Sequence, residues 1–294
     1  MPSVGDDRSK NARAFDRFVR ILLQAAAQVC LVAALAILLI LCYLSLPLFT
    51  SGGILSVLSW QWLPYQGHFG ILPMVIGSLL LSVGALLLAI PPAVGICCFA
   101  RVLAPSRLGG PLLAVIHYMT SIPTVIYGFV SVFLLVPLVR RWFEHGNGFS
   151  LLSATITLSL LILPTIVLVY HSQLRELDRS VRVTCRALGF SPAAYIRHVL
   201  VPLSRRGLAV AAILGFGRAV GDTLISLMLA GNAATLPHSP LDSIRTLTAH
   251  IALVVATDSQ STFYHSVFAS GLILFLIMVM VNLLIRRLGG GEGR

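Results

Sequence analysis

Two ionisable residues, four positions apart, lie inside an apolar stretch. The stretch 208–232 is apolar enough to cross a bilayer, yet it contains Arg218 and Asp222. At about 1.5 Å of rise per residue, Arg218 would lie roughly 15 Å into this stretch, near the middle of a ~30 Å hydrocarbon core. An ionisable side chain at that depth costs roughly 2.5–3.5 kcal/mol to insert. We therefore predict an anion site at the midplane, and the alternative is an ion pair that only locks helices together.

The composition indicates an integral membrane protein. Of the 294 residues, 57% are hydrophobic and only 11% are charged, and the mean hydropathy is +0.93. Soluble domains carry about 25% charged residues. The net charge of +11 would suggest nucleic acid as the partner of a soluble protein. Here the basic residues lie in hydrophilic segments between apolar runs, so membrane topology explains them better and no nucleic-acid partner is expected.

Six apolar runs predict an all-α bundle of six transmembrane helices. The first run follows a basic tail, 1–20, and is too long for the roughly 7–15-residue core of a signal peptide. Prolines within the runs are tolerated only where neighbouring helices or a water-filled cavity satisfy the freed backbone groups. We therefore expect an internal pathway within a transmembrane domain, 21–288, that a short tail, 289–294, follows. The predicted spans are 21–49, 71–100, 112–139, 151–171, 208–232 and 264–285.

The distribution of lysine and arginine predicts the orientation. The N-terminal tail has five of them and the loop 172–206 has seven, whereas the segment 50–70 has none. Assigning alternate segments to opposite sides places 17 on one side and 3 on the other. Because the cytoplasmic side carries the excess of basic residues, both termini are predicted to be cytoplasmic.

The loop 172–206 is too polar to insert and is predicted to contain two helices. The first ends at Gly189, a favourable residue for a helix C-terminus. Ser191 can cap the second helix with Pro192 at its first position, and this helix should stop before Pro202. Such a pair suits docking into a groove of a soluble partner. The alternative is an amphipathic hairpin that lies on anionic lipid.

The same loop resembles the EAA loop of ABC-importer permeases, E-A-A-x3-G-x9-I-x-L-P, which contacts the ATPase. The family's Glu-Ala-Ala is replaced by Val183-Thr184-Cys185. The positions that follow the family pattern, and that the resemblance makes candidates for ATPase coupling, are Ala187, Leu188, Gly189, Val199 and Pro202.

Three further motifs resemble the phosphate-specific (Pst) branch of these permeases and occur in the same order. They are FGILP at 69–73, IPTVIYG at 122–128 and GRAVGDT at 217–223. The resemblance covers about 21–287. A tryptophan followed by Pro64 and then by the first motif is similar to the PstC-like member of the branch more than to its PstA-like partner.

This resemblance implies a type I (MetI-like) permease in the bacterial plasma (inner) membrane that imports inorganic phosphate. The implied partners are a second permease (PstA-like or another copy), a cytoplasmic ATPase dimer, an extracytoplasmic phosphate-binding protein and membrane lipid. The chain has no phosphate-binding G-x-x-x-x-G-K-[ST] motif, so ATP hydrolysis is expected in the partner and not here. The histidines lack metal-binding spacing, and we expect neither a metal nor a cofactor.

Arg218 and Asp222, on one helix face at this spacing, are the first candidates for the substrate pathway. The arginine fork matches phosphate oxygens. The carboxylate of Asp222, where the family has Glu, can accept the P–O–H proton that phosphate keeps near neutral pH and sulfate lacks, or it can release Arg218 during the cycle. Thr223 adjoins the pair. Three further candidates flank Pro123, or they only satisfy the backbone that the proline frees: Thr120, Ser121 and Thr124.

Three other functions stay open. The chain can be a permease for another oxyanion, namely molybdate, tungstate or sulfate. An intramembrane enzyme would need a Ser–His or paired-Asp arrangement, but Asp222 is the only acid in the core of a predicted span. An ATP-independent channel is the third alternative.

Overall fold

The chain is built almost entirely of helices, as its apolar runs predict. The computed structural model describes residues 4–57, 59–63, 66, 68–105, 107–143, 146–257 and 262–289. Pro64 and all but the first residue of the predicted C-terminal tail lie outside the described residues.

The described residues form eleven α-helices and one short hairpin. The hairpin pairs β1 (Trp62–Leu63) antiparallel with β2 (His68–Phe69). π-Helical turns continue the second and sixth helices at Phe99–Leu103 and Ile196–Leu200. The helices are α1 Val4–Val57, α2 Leu72–Cys98, α3 Gly109–Thr120, α4 Thr124–Phe143, α5 Leu151–Ala187, α6 Pro192–Tyr195, α7 Val201–Leu203, α8 Arg205–Val220, α9 Leu224–Leu229, α10 Leu247–Thr257 and α11 Thr262–Gly289.

Five of these helices are long and apolar enough to cross a membrane: α1, α2, α4, α5 and α11. A sixth candidate combines α8 with the helical segment Pro192–Leu203, from which α8 is bent by 66°. The bend lies at Ser204, which separates α7 from α8.

Helix α5 is the centre of the bundle. In its most apolar stretch 67% of the residues are buried, against 6% in α1. Helices α2 and α8 pack against it, whereas α1 packs mainly on α11. The contact with α8 is close at Gly215, where an added Cβ would lie 2.7 Å from Ile166 Cγ1. A side chain at this position would force either α8 or the side chain of Ile166 to shift.

The predicted span 112–139 is wrong as a single helix. Helix α3 ends at Thr120 and α4 begins at Thr124. The break coincides with Pro123, which lacks the N–H that a helix interior needs and clashes with the preceding turn. The hydroxyl of Tyr127 donates to Met119 O at 3.1 Å and thereby joins the two helices across the break.

The predicted span 208–232 is also interrupted. Helix α8 ends at Val220, and Gly221, Asp222 and Thr223 separate it from the short helix α9. Glycine is a poor helix former, and aspartate and threonine favour helix ends because their side chains bond to nearby backbone groups.

The coupling loop 172–206 differs from the prediction at its start. Helix α5 continues without a break for 37 residues to Ala187. Its length is therefore about 55 Å, well beyond a ~30 Å hydrocarbon core, so its last turns extend past the span.

The stop at Gly189 and the start at Ser191 are confirmed. Gly189 has a positive φ of 77°, which glycine adopts without strain. Ser191 Oγ accepts from the backbone N–H of Ala194 at 3.3 Å, and Pro192 is the first residue of α6. The predicted stop before Pro202 is wrong, because helical structure continues to Leu203 through the π-helical turn.

Candidate functional site

The carboxylate of Asp222 lies in the break between α8 and α9 and forms a hydrogen bond with the start of α9. Its Oδ2 accepts from the backbone N–H of Ile225 at 2.9 Å, within the first turn of α9. The first N–H groups of a helix lack partners inside the helix, and a negative charge beside them is favourable. Asp222 therefore caps α9.

Arg218 lies in the last turn of α8, on an exposed face. Its Nη1 donates to Thr165 Oγ1 of α5 at 3.3 Å. Arg218 and Asp222 both belong to the described residues, and no ion pair joins them there. The two do not share one continuous helix, because α8 ends at Val220, but they lie close enough for their charges to attract each other. Among the described residues, the guanidinium forms this one hydrogen bond, and its other N–H groups have no protein acceptor.

Buried hydroxyl groups fix the backbone of the break. Thr248 Oγ1 and Ser226 Oγ both donate to Asp222 O, at 3.0 and 3.3 Å. Thr246 Oγ1 donates in turn to Ser226 Oγ at 3.0 Å. Because Thr246 and Thr248 are both buried, this network ties the start of α10 to the position of Asp222.

The start of α10 is also attached to α2. Leu247 N donates to Ser78 Oγ at 2.8 Å, and Ala249 N donates to Thr246 Oγ1 at 3.2 Å, so Thr246 caps α10. Arg245, immediately before these residues, donates from Nε to Asn232 O at 2.8 Å. The half-buried Arg245 therefore helps to hold the segment between α9 and α10.

The candidates around Pro123 lie at the other helix break. Thr120 Oγ1 donates to His117 O at 2.7 Å, within its own helix. Ser121 is exposed at the end of α3, and Thr124 is half-buried at the start of α4. Helix α4 packs against α9, so the structure brings the two broken segments onto neighbouring elements.

Thr223 is the residue directly before α9. A further candidate, Thr165, was not predicted from the sequence. Thr223 is half-buried, and its carbonyl oxygen accepts from Ser226 Oγ at 3.0 Å. Thr165 directly follows Pro164 in α5. Its hydroxyl beside a proline inside an apolar span could have indicated Thr165. The sequence does not indicate its partner, because Arg218 is 53 residues away.

The coupling loop presents apolar side chains to its surroundings. Val183 and Leu188 are 76% and 71% exposed, and Leu203 is 48% exposed. Of the five predicted coupling residues, Ala187, Leu188, Gly189 and Pro202 are exposed. The fifth, Val199, is partly buried and packs against the core instead.

Two tyrosines tie the coupling loop to α5. Tyr195, at the end of α6, donates from its hydroxyl to Asp178 Oδ1 at 2.9 Å. Near the bend before α8, the hydroxyls of Tyr170 and Ser204 lie 2.8 Å apart in a hydrogen bond. All four of these side chains are buried, so the exposed apolar residues are presented on a well-fixed support.

The family model described as "Binding-protein-dependent transport system inner membrane component" matches residues 93–290. The chain is 34% identical to the probable ABC transporter permease protein YqgH of Bacillus subtilis, over 92% of this chain and 89% of that protein. It is 30% identical to the phosphate transport system permease protein PstC of Mycobacterium leprae over 76% of each chain. The PstC of Pasteurella multocida is 29% identical over 80% of each chain.

The fold has a counterpart among solved structures. An inward-facing conformation of the MetNI methionine ABC transporter superposes with a TM-score of 0.55 and covers 74% of this chain and 94% of that one. The sequence identity is 17%, so this likeness concerns the fold alone. It confirms the predicted MetI-like permease fold.

Proposed function

Since this chain belongs to the family of binding-protein-dependent transport system inner membrane components, we propose that it carries inorganic phosphate across the membrane. Membership makes it a permease subunit of an ABC importer, which is a transport subunit and not an enzyme. Several relatives are named phosphate transport system permease proteins, and this supports phosphate as the solute. The observation that carries the proposal is the exposed guanidinium of Arg218 beside a helix break.

Arg218 is suited to bind an oxyanion at this place. A guanidinium presents a planar fork of N–H donors that can bind two oxygens of one phosphate. Within the described part of the chain, only its Nη1 forms a hydrogen bond, to the neutral hydroxyl of Thr165. No hydrogen bond or ion pair with Asp222 takes up the other N–H groups among the described residues, so these groups can bind an anion in the pathway.

Asp222 is suited to distinguish phosphate from sulfate. Its Oδ2 is occupied by the N–H of Ile225, whereas Oδ1 forms no hydrogen bond with the described residues. A carboxylate oxygen can only accept a hydrogen bond, and phosphate near neutral pH has a P–O–H group to donate. We propose that Oδ1 accepts this proton, with Thr223 and the hydroxyls at the α3–α4 break, Thr120, Ser121 and Thr124, along the same pathway.

Substitutions of Asp222 should separate its two roles. Asp222→Asn keeps an oxygen that can cap α9 but places an amide donor where the second acceptor was. We expect its thermal stability to stay near that of the wild type, while phosphate uptake falls about tenfold or more, since a hydrogen bond to a charged group contributes roughly 1.5–3 kcal/mol. Asp222→Ala removes the cap as well and should lower the free energy of unfolding by about 1 kcal/mol.

The measurements are uptake into proteoliposomes and thermal unfolding of the purified complex. Full uptake by the Asp222→Asn variant would restrict Asp222 to capping. A stability loss as large in Asp222→Asn as in Asp222→Ala would contradict the capping role.

Competition between oxyanions tests the solute. In proteoliposomes containing the complete transporter, we expect uptake of radiolabelled phosphate to resist an excess of sulfate, molybdate or tungstate, and ATPase activity to rise with phosphate. Uptake of one of the other oxyanions in place of phosphate would favour that alternative. Phosphate flux without ATP hydrolysis would indicate a channel.

The proposed assembly places the coupling loop on the cytoplasmic side of a bacterial plasma membrane. The excess of basic residues on that side supports this orientation, with both termini cytoplasmic. There the exposed residues Ala187, Leu188, Gly189 and Pro202 belong to the surface that receives the ATPase dimer, and Val199 supports this surface from the core side. A second permease lies beside this chain in the membrane lipid and is either PstA-like or another copy of this chain. An extracytoplasmic phosphate-binding protein completes the transporter.

A further inference from the structure

A buried carboxylate lies in the first part of the coupling loop, which belongs to α5. The side chain of Asp178, in the last third of α5, is only 2% exposed. Its Oδ2 accepts from Arg101 Nε at 2.9 Å and from Arg182 Nη1 at 3.3 Å. Its Oδ1 accepts from the hydroxyl of Tyr195 at 2.9 Å. A buried charge is tolerated when it is paired and hydrogen-bonded, and here both carboxylate oxygens have partners.

The partners of Asp178 come from different parts of the chain. Arg182 is one turn further along α5, whereas Arg101 lies in the π-helical turn that ends α2. Tyr195 is the last residue before the second π-helical turn, in the coupling loop. π-Helix makes up fewer than about 1% of residues in globular proteins and is frequent at functional sites. Two such turns thus adjoin a single carboxylate.

The hydrogen bond from Tyr195 is a strong one. The buried hydroxyl of Tyr195 donates to a carboxylate that two arginines also contact. A hydrogen bond to an ionised acceptor is stronger than one between neutral groups. The link between the end of α5 and α6 therefore resists separation.

We infer that Asp178, Arg101, Arg182 and Tyr195 form a clasp that makes the end of α2 follow the coupling loop during the ATPase cycle. Displacement of the loop by the ATPase moves Tyr195, and the shared carboxylate passes this displacement to Arg101. Asp178 is thus a positioning residue for transport and does not contact the solute. The inference rests on the proposed docking of the ATPase at the coupling loop.

Two variants cut the clasp at opposite ends. Tyr195→Phe keeps the aromatic ring in its buried place and removes only the hydroxyl. Arg101→Gln removes the ionic contact from the end of α2 and leaves Asp178 paired with Arg182 and Tyr195. Tyr170→Phe is the matched control, since it removes another buried hydroxyl between α5 and the same loop without touching Asp178.

The test is a distance measurement by double electron–electron resonance in the complete transporter. Spin labels replace Leu103, at the end of the π-helical turn that contains Arg101, and His198 in the coupling loop, both of which are exposed. The exposed Cys30 and the half-buried Cys42 are changed to alanine to avoid labelling. Each sample is measured with and without ATP.

We expect the distance between positions 103 and 198 to be the same in both nucleotide states when the clasp is intact. In Tyr195→Phe and in Arg101→Gln, a second ATP-dependent distance should appear, and Tyr170→Phe should keep the single one. Three results would each overturn the inference. The first is a distance that changes with ATP while the clasp is intact, the second is an unchanged distance in both clasp variants, and the third is a second distance in Tyr170→Phe.

The measurement does not depend on which solute is carried, so a failure to transport phosphate leaves it interpretable. Absence of the ATPase from the purified complex would overturn the proposed docking, and the inference with it. A 103–198 distance that changes with ATP in a complex that retains the ATPase would overturn the clasp alone.

Discussion

Arg218→Gln is expected to abolish phosphate uptake while the transporter still assembles. Arg218 is exposed, and its described contact is one hydrogen bond to Thr165. Glutamine has an amide that can still donate to the same hydroxyl, so the packing of α8 on α5 should survive. The substitution removes the positive charge and the fork of donors, which are the features that an oxyanion needs.

The size of the effect follows from the hydrogen bonds lost. A phosphate bound by two N–H groups of one guanidinium loses both bonds, each contributing roughly 1.5–3 kcal/mol. At about 1.4 kcal/mol for each tenfold change, uptake should fall at least about 100-fold. The measurement is the initial rate of radiolabelled phosphate uptake, normalised to the amount of complex recovered with the ATPase.

Two further variants separate charge from geometry at this site. Arg218→Lys retains a charge but not the planar fork, and we expect an intermediate loss of uptake. Thr165→Val removes the neutral acceptor and leaves the guanidinium free, so uptake should change little. Near-normal uptake by Arg218→Gln would show that Arg218 does not bind the solute. A loss of assembled complex in this variant would show that the role of Arg218 is structural.

The two ionisable residues of the candidate site could be predicted from the sequence, but Thr165 and the arrangement of the three could not. A pair of ionisable residues in an apolar run was sufficient to single out Arg218 and Asp222. Hydropathy is a property of side chains, however, and it does not indicate the residue at which the backbone leaves the helix. At the break near Gly221, Asp222 forms a hydrogen bond to the first turn of α9, and Arg218 forms one to a hydroxyl on α5, so no direct bond joins the pair among the described residues.

Features that depend on neighbouring residues could be predicted from the sequence, whereas contacts between distant residues could not. The stop at Gly189 and the start at Ser191 were predictable, because each depends on the conformation or hydrogen bond of a residue at the helix end itself. The ion pair between Arg101 and Asp178 joins residues 77 positions apart. No periodicity within a single helix indicates such a partner, so the clasp emerges only from the fold.

Leu188→Glu is expected to detach the ATPase from an otherwise intact permease. Leu188 is 71% exposed at the end of α5, where the chain leaves the span and a soluble partner can reach it. Burying a leucine in an interface contributes roughly 1.5–3 kcal/mol, and an unpaired carboxylate in the same contact adds a desolvation cost. The affinity for the ATPase should therefore fall at least about 100-fold, as measured by co-purification over a range of ATPase concentrations.

Ser180→Glu is the matched control for this charge, because Ser180 is exposed on the same helix and contributes no large apolar side chain. Leu188→Met preserves volume and hydrophobicity and should lose at most about tenfold in affinity, since such substitutions usually cost less than about 1.5 kcal/mol. The thermal stability of Leu188→Glu should match that of the wild type, because little of this side chain is buried in the chain itself. Wild-type recovery of the ATPase with Leu188→Glu would move the docking surface away from this end of α5. Equal losses in Leu188→Glu and Ser180→Glu would instead make added negative charge, and not the apolar contact, the cause.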